Sequence, residues 1–275
     1  MRRSPHRRVH RRTPLGDALA ATRVPTWTGP AALPADGTGL AFVRSPGLLR
    51  PDRRIYAVGD IHGCLEKLRA LHAAIADDLA RRPVGNPRLI HLGDYIDTGP
   101  DSAGVLELLA GGPPIAGLTT VNLLGDHERT ALDALDGDAP SATDWLHEGG
   151  AATLRGWGID PSTPRDLWRE MVPSAHLAFL RGLALSHRAD DYLFVHAGVR
   201  PGVSLRQQTA DDLVRIRQPF LYSEAEFAAV VVHGHTPGPA PVLRQNRICI
   251  DTGAAFGGRL TCAVIEADRV GFVSV

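Results

Sequence analysis

Acidic and imidazole side chains occur at five places in this sequence, each at or directly after the end of a short apolar run. The clusters are Asp60 and His62 after residues 54–58, Asp94 and Asp97 after 88–92, Asp126 and His127 after 119–124, His196 at the end of 192–196, and His233 and His235 around the end of 229–233. Carboxylate oxygens and imidazole nitrogens together suit Mn, Fe or Zn. A carboxylate between two strands can also bridge two ions about 3.5–4 Å apart, as in two-metal hydrolases. The five clusters therefore predict a metal site.

The apolar runs are predicted to be buried strands that alternate with helices. Residues 65–82 carry Leu68, Leu71 and Ile75 at helical spacing, and residues 101–109 follow Pro100 as a second helix. Residues 247–275 indicate a strand-rich tail with a tight turn at 268–271. Because ligand sites in α/β sheets gather at the carboxyl ends of strands, this order predicts a mixed α/β sandwich with the clusters at one edge.

The region before Arg54 is predicted to differ from the rest of the chain. Residues 1–50 contain a basic start, Arg2 to Arg12, and repeated prolines without a helical or strand period. We interpret them as an extended, partly disordered arm that precedes a catalytic domain at 51–275. A contact of this arm with RNA or an acidic partner is the less favoured reading.

Composition excludes several classes of protein. The formal net charge of the 275 residues is zero, so nothing global favours nucleic acid or membrane surfaces. The three cysteines, Cys64, Cys249 and Cys262, form no CxxC pair. We therefore expect no zinc ribbon, and we expect the protein to reside in a reducing cytoplasm. No apolar run reaches the roughly 18 residues that a transmembrane helix needs.

Taken in order, the clusters resemble the phosphoprotein phosphatase branch of the calcineurin-like metallophosphoesterases. The motifs are GDIHG (59–63), GDYIDTG (93–99), GDHE (125–128), VHAG (195–198), DLVRIR (212–217), HGHT (233–236) and DTG (251–253). The resemblance spans about residues 54–265. It implies a four-layer αββα sandwich with mixed sheets, two divalent ions, Mn²⁺ first with Fe or Zn as alternatives, and attack on a phosphomonoester by a metal-bound hydroxide.

The resemblance also implies a role for each matched residue. Asp60, His62 and Asp94 match ligands of the first metal, with Asp94 bridging to the second. The second metal would be held by Asp126, His196 and His235. His127 matches a general acid for the leaving alcohol, Asp97 the carboxylate that orients it, and Arg217 a phosphate-binding arginine.

Two positions depart from the family pattern. Thr98 stands where the family has an arginine whose guanidinium would grip the phosphoryl group with two hydrogen bonds, which threonine cannot replace. Arg129, Arg155 and Arg200 are candidates to substitute for it. Asp126 stands where the family has asparagine, which makes the metal cluster less positive by one charge and should acidify its bound water less.

Three functions are consistent with the sequence. The leading prediction is a Ser/Thr phosphoprotein phosphatase acting on a phosphorylated protein or small phosphoester. Hydrolysis of symmetrical dinucleoside polyphosphates is the second, since enzymes of that kind share the motifs. The third, which Thr98 and Asp126 keep open, is a weakened pseudophosphatase that binds a phosphorylated partner.

Overall fold

Eleven strands form two sheets in the computed structural model, which describes residues 40–275. The basic residues Arg2 to Arg12 lie outside the described residues. The strands are β1 (Phe42–Arg44), β2 (Arg53–Val58), β3 (Asn86–His91), β4 (Thr119–Asn122), β5 (Ser186–Ala189), β6 (Tyr192–Val195), β7 (Val230–His233), β8 (Val242–Leu243), β9 (Arg247–Cys249), β10 (Thr261–Glu266) and β11 (Arg269–Ser274).

The helices occupy the connections between these strands. They are α1 (Leu65–Arg81), α2 (Ser102–Ala110), α3 (Asp126–Leu135), α4 (Ala139–Trp145), α5 (Ala151–Gly156), α6 (Arg165–Met171), α7 (Ser174–Arg181) and α8 (Ala210–Arg215). A π-helical turn, Leu146–Gly150, joins α4 to α5, and short 3-10 turns occupy Leu205–Gln207, Phe220–Tyr222 and Ala254–Phe256. Among the described residues, no helix has the length and apolar character needed to cross a bilayer.

Alternation along the buried strands produces the layers. In β2, Tyr56 and Val58 face a core shared with helices α1 and α2, whereas Ile55 and Ala57 face the second sheet. The second sheet repeats the pattern, because Phe194 points to the space between the sheets and its neighbours in β6 pack on the outer core beside α8. Two sheets with helices on both outer faces confirm the predicted αββα sandwich.

The strand order brings the predicted ligand loops together. The first sheet has the order β1-β11-β10-β2-β3-β4, in which β2, β3 and β4 are parallel neighbours. The second has the order β5-β6-β7-β9-β8, in which β6, β7 and β9 are parallel. Helix α1 makes the crossover from β2 to β3, and Leu68, Leu71 and Ile75 are buried on its inner face as predicted.

The ends of the first sheet differ from the sequence prediction in two respects. Strand β1 lies in the region where no strand period was found, and it pairs with β11 over only three residues, too few to show a period. The predicted turn at 268–271 lies instead at Ala267 and Asp268. Gly271 is a strand residue, and a Cβ there would lie 3.0 Å from the Leu40 side chain, so the glycine serves close packing rather than a turn.

A buried pair of histidines links α1 to the first sheet. The Nε2 atoms of His72 and His91 are 2.9 Å apart, and Nδ1 of His91 lies 2.7 Å from Oδ1 of Asn122. Burial lowers the pKa of His72 to about 4. Burial and the neighbouring His72 lower the pKa of His91 to about 3. Both rings are therefore neutral in the folded protein at pH 7.

This pair predicts loss of stability in mild acid. An unfolded histidine has a pKa of about 6.5, so below that pH the unfolded chain binds a proton at each position, whereas His72 and His91 stay neutral in the folded protein. The free energy of unfolding therefore falls by up to about 2 kcal/mol per histidine by pH 5. Urea unfolding of the wild type and His72→Gln at pH 7, 6 and 5 tests this. Glutamine keeps a donor toward His91 but does not titrate, so its slope should be shallower. His147→Gln, at an exposed position, should match the wild type; equal slopes for all three would contradict the prediction.

Candidate active site

The five predicted clusters meet at one edge of the sandwich. Three lie in the loops after the parallel neighbours β2, β3 and β4, and two lie at the ends of the parallel neighbours β6 and β7 in the other sheet. Because parallel strands of both sheets end there, residues more than a hundred positions apart in sequence become neighbours.

One group of potential ligands combines side chains from both sheets. Ligand atoms of Asp94, Asp126, His196 and His235 all lie within 4.8 Å of one another. Oδ1 of Asp126 is 3.0 Å from Nε2 of His196 and 2.9 Å from Nδ1 of His235. Burial raises the pKa of Asp126, but the hydrogen bonds from the two imidazoles outweigh it and hold that pKa well below its usual range. This group contains the three residues predicted for the second metal together with the predicted bridge.

A second group shares Asp94. Ligand atoms of His62, Asp94 and His127 lie within 4.8 Å of one another, and Nε2 of His62 is 3.4 Å from Oδ2 of Asp94. Asp60, the remaining residue predicted for the first metal, accepts a hydrogen bond at Oδ2 from the His235 backbone N–H. Its Oδ1 is buried without a hydrogen-bond partner. Such an oxygen costs free energy unless a cation or another donor satisfies it.

The donor set fits divalent ions. Nδ1 of His62 lies 3.0 Å from the Ile96 carbonyl, and Nδ1 of His196 lies 2.9 Å from the Leu92 carbonyl. Since a carbonyl only accepts, each Nδ1 carries a proton. Nε2 is then the nitrogen that would bind an ion, in place of its contact with a carboxylate, an arrangement common around protein-bound metals. Gly234 also keeps the space beside Asp60 open, because a Cβ at this position would lie 1.8 Å from Oδ1 of Asp60.

Concentrated negative charge is a further sign of a cation site. Burial, together with the nearby carboxylates of Asp251 and Asp94, raises the pKa of Asp60 well above its usual range. The pKa of Asp251 is raised as well, by burial and by Asp94. Divalent ions would supply the charge that holds these carboxylates ionised. Asp251 belongs to the DTG segment noted in the sequence, but its place beside Asp60 was not predicted.

A buried glutamate holds two of the motif loops together. Oε2 of Glu128 accepts hydrogen bonds from the backbone N–H groups of Asp94 and Gly125, at 2.8 and 3.0 Å. Oε1 accepts from Tyr95 and Ile96, at 2.7 and 3.2 Å. The carboxylate is fully buried, and each of its two oxygens accepts two of these hydrogen bonds. Glu128 therefore braces the loop after β3 against the start of α3.

The backbone itself is strained at the site. Five non-glycine residues here have positive φ, which side chains with a Cβ rarely adopt; they are His62, Asp94, Asp97, Thr98 and His235. Each such residue costs about 1–3 kcal/mol and persists only where surrounding contacts hold it. The hydrogen bonds of Glu128 supply that constraint in the loop that follows β3.

His127 and Asp97 form a hydrogen-bonded pair beside the metal-ligand groups. Nδ1 of His127 lies 2.8 Å from Oδ2 of Asp97, and Asp97 is completely buried. Burial lowers the pKa of His127, but the carboxylates of Asp94, Asp97 and Asp126 outweigh it and raise that pKa to about 10. Asp97 also accepts hydrogen bonds from Nε1 of Trp145 and Oγ1 of Thr153. Neither of these two contacts was predicted, since both donors come from distant helices.

The positions discussed for phosphate binding are exposed. Nη1 of Arg217 lies 3.3 Å from Oγ1 of Thr236, next to His235, so this guanidinium is at the rim of the site. Thr98 is exposed beside the buried Asp97. Two of the three arginines considered as substitutes for the family arginine at position 98 form salt bridges away from the phosphate position. Arg129 pairs with Asp133, and Arg200 pairs with Asp212.

The cysteines and aromatic residues were not predicted to take part in the chemistry of the site. Cys64 is buried, and none of the three cysteines forms a disulfide. Trp168 is fully buried. Phe256 is 66% exposed with its ring centroid 6.2 Å from that of His62; no sequence signal singled out this aromatic surface.

Comparison with known proteins identifies relatives along most of the chain. A model of the calcineurin-like phosphoesterase family matches residues 53–270. Serine/threonine-protein phosphatase 1 of Salmonella typhimurium is 31% identical over 229 residues, covering 78% of this chain and 93% of the relative. A symmetrical bis(5′-nucleosyl)-tetraphosphatase of Methylococcus capsulatus is 30% identical over 151 residues, which cover 54% of this chain and 44% of that protein.

Solved structures support the fold. A protein assigned as a candidate diadenosine tetraphosphatase superposes with a TM-score of 0.56 at 22% identity, covering 82% of this chain and 96% of its own. The cold-active protein-tyrosine phosphatase of a Shewanella species gives a TM-score of 0.54 at 17% identity, covering 81% of this chain and 80% of its own. At these identities the likeness concerns architecture alone.

The Glu128 hydrogen bonds predict a large effect of Glu128→Gln. Either orientation of the amide sets its NH₂ group against two backbone N–H donors, so we expect a loss of about 2–4 kcal/mol in unfolding free energy. Metal affinity should fall as well, because the Asp94 loop loses its support. Denaturant unfolding and calorimetric titration with Mn²⁺ measure the two effects. Glu66→Gln, at an exposed position of α1, should change neither, and unaltered behaviour of Glu128→Gln would refute the bracing role.

Proposed function

The chain belongs to the calcineurin-like metallophosphoesterase family and is a phosphoester hydrolase, and from this premise we propose that it is a metal-dependent Ser/Thr phosphoprotein phosphatase. The observation that carries the proposal is the His127–Asp97 pair beside the metal-ligand groups. Seryl and threonyl alkoxides are poor leaving groups and need a proton as they depart. A nucleotide released from a polyphosphate leaves as a stable anion and needs such help far less.

The Salmonella relative supports the same substrate class. The similarity to the Salmonella serine/threonine-protein phosphatase extends over nearly all of that protein, whereas the similarity to the Methylococcus tetraphosphatase is limited to less than half of it. The second protein therefore contains a large part without a counterpart in the alignment. We infer a substrate of the phosphoprotein kind.

In this proposal the chain's residues divide the work of hydrolysis. Asp60, His62 and Asp94 would hold one divalent ion, and Asp94, Asp126, His196 and His235 would hold another, with Mn²⁺ the expected metal. The ions would act as Lewis acids that lower the pKa of water and neutralise phosphoryl charge. His127, oriented by Asp97, would donate its proton to the leaving oxygen, and Arg217 would contact the phosphoryl group from the rim.

The cysteines and the substrate class bear on where the protein acts and what it contacts. We propose a cytoplasmic location, since the three cysteines are thiols in the described structure. The expected partner is a phosphorylated protein, with no nucleic acid or membrane involved.

Substrate preference and metal dependence test the proposed function together. Protein stripped of metal and reloaded with Mn²⁺ should hydrolyse a phosphoserine peptide with a higher kcat/KM than a dinucleoside tetraphosphate. The chelated protein should be inactive, and His127→Gln should lower kcat on the peptide by about 100-fold or more. Preference for the dinucleotide would establish the tetraphosphatase alternative. Retained Mn²⁺ and peptide binding without any product would establish the pseudophosphatase.

The two departures from the family pattern predict an enzyme that can be improved. Thr98 is exposed, so Thr98→Arg can extend a guanidinium toward the phosphoryl group, and we expect kcat/KM to rise at least about tenfold. Thr98→Gln, long but uncharged, is the matched control and should not produce the rise. Adding Asp126→Asn removes one negative charge from the ligands, which makes the net charge of the metal cluster more positive by one and should raise the single-turnover rate further. A double variant no faster than the wild type in single turnover would refute this account.

A further inference from the structure

The side chain that orients His127 is itself held by an unusual set of neutral donors. Nε1 of Trp145 lies 3.1 Å from Oδ1 and 3.0 Å from Oδ2 of Asp97, so one indole N–H is shared between both carboxylate oxygens. Trp145 and Asp97 are both completely buried. An indole N–H only donates and a carboxylate only accepts, so the direction of this contact is unambiguous.

Thr153 completes the arrangement. Its hydroxyl donates to Oδ1 of Asp97 at 2.6 Å and accepts from the Asp97 backbone N–H at 3.0 Å. One buried hydroxyl thus fixes both the backbone and the carboxylate of a residue whose φ is +69°. Removing it would leave a buried N–H with Oγ of Ser102 as its remaining partner.

The local structure is built to place the indole. Trp145 ends α4, and the π-helical turn that follows contains Gly150, where a Cβ would lie 2.6 Å from the indole ring. Gly149, in the same turn, has φ +108°, and a Cβ there would lie 2.8 Å from the Thr98 backbone nitrogen. The turn therefore packs directly against the loop that carries Asp97.

Packing alone does not account for this tryptophan. Trp168 lies in the same aromatic cluster, with its ring centroid 5.9 Å from that of Trp145, and is equally buried. Its Nε1, however, donates to the Thr163 carbonyl, away from the site. The two tryptophans thus separate the aromatic packing from the contact with Asp97.

We propose that Trp145 and Thr153 are positioning residues that hold the Asp97 carboxylate in the orientation His127 needs to deliver a proton to the leaving oxygen. The inference rests on the proposed acid role of His127. In the step concerned, hydroxide derived from water forms a bond to phosphorus while the P–O bond to the leaving oxygen breaks. The proton on Nε2 of His127 passes to that leaving oxygen, so that the products are the alcohol, inorganic phosphate and a neutral imidazole that Asp97 continues to hold through Nδ1.

Leaving-group dependence tests the proposal in the Mn²⁺-loaded protein. Phenyl phosphate needs a proton on its departing oxygen, whereas 2,4-dinitrophenyl phosphate does not. Trp145→Phe and Thr153→Val should lower kcat on phenyl phosphate about tenfold or more and change kcat on the dinitrophenyl ester less than about threefold. Thr153→Ser, which keeps the hydroxyl, should restore the wild-type ratio. Equal losses on both substrates would overturn the proposal, since a general structural defect affects both.

Two controls isolate the proposed route through His127. Trp168→Phe also removes one indole N–H from the aromatic cluster, but one that does not contact Asp97. It should leave the ratio of kcat on the two esters unchanged. Combining Trp145→Phe with His127→Gln should cost no more on phenyl phosphate than His127→Gln alone, because both act on one proton transfer. Additive losses would mean that Trp145 acts elsewhere.

A spectroscopic measurement keeps the inference falsifiable if the wild type hydrolyses neither ester, a result that would count against the proposed function instead. The proton on Nδ1 of His127, identified by ¹⁵N-histidine labelling of the protein stripped of Mn²⁺, should give a low-field NMR signal. That signal should shift or broaden in Trp145→Phe and Thr153→Val and stay unchanged in Trp168→Phe. An unchanged signal in all three variants would overturn the positioning role.

Discussion

The buried carboxylate of Glu128 is the contact on which the rest of the site depends. It gathers backbone N–H groups from the loop after β3 and from the start of α3, so that Asp94 and Asp126 project into the same space. These N–H groups lie at the carboxyl edge of a parallel sheet, where the ladder has ended and another acceptor is required. One side chain therefore closes the hydrogen bonding of two loops and fixes the relative position of two potential ligands.

Charge and backbone conformation at this edge work against stability. Carboxylates are buried close together, and five residues adopt positive φ. The layers beneath compensate, because alternating residues of β2, β6 and β10 build continuous apolar cores on both sides of each sheet. Strain and unpaired charge of this kind typically accumulate where binding or catalysis requires them.

Most of the loops that carry the potential ligands could be placed at one edge from the sequence, because each follows a short apolar run and strands of that type end at a common edge. The helical region between β4 and β5 could not be. Its helices are short, and their contacts are made to distant elements rather than along one amphipathic face, as with Trp145 and Thr153 against Asp97. Strand β1 escaped prediction because three residues show no period, and Gly271 was misread because close packing and turns select the same residue. Spacing identified which groups could do chemistry, whereas the contacts that orient them required coordinates.

Potential ligands come from both sheets, and the sheets contact each other through an apolar core and a bridge between Leu123 and Ala184. Ions held by Asp94, Asp126, His196 and His235 would therefore act as a clamp across the sandwich, and their binding free energy would add to that of the folded state. The concentration of available metal in the cell would then govern how often the sheets separate and how quickly proteases degrade the chain. The abundance of the protein, as well as its activity, would therefore depend on that metal concentration.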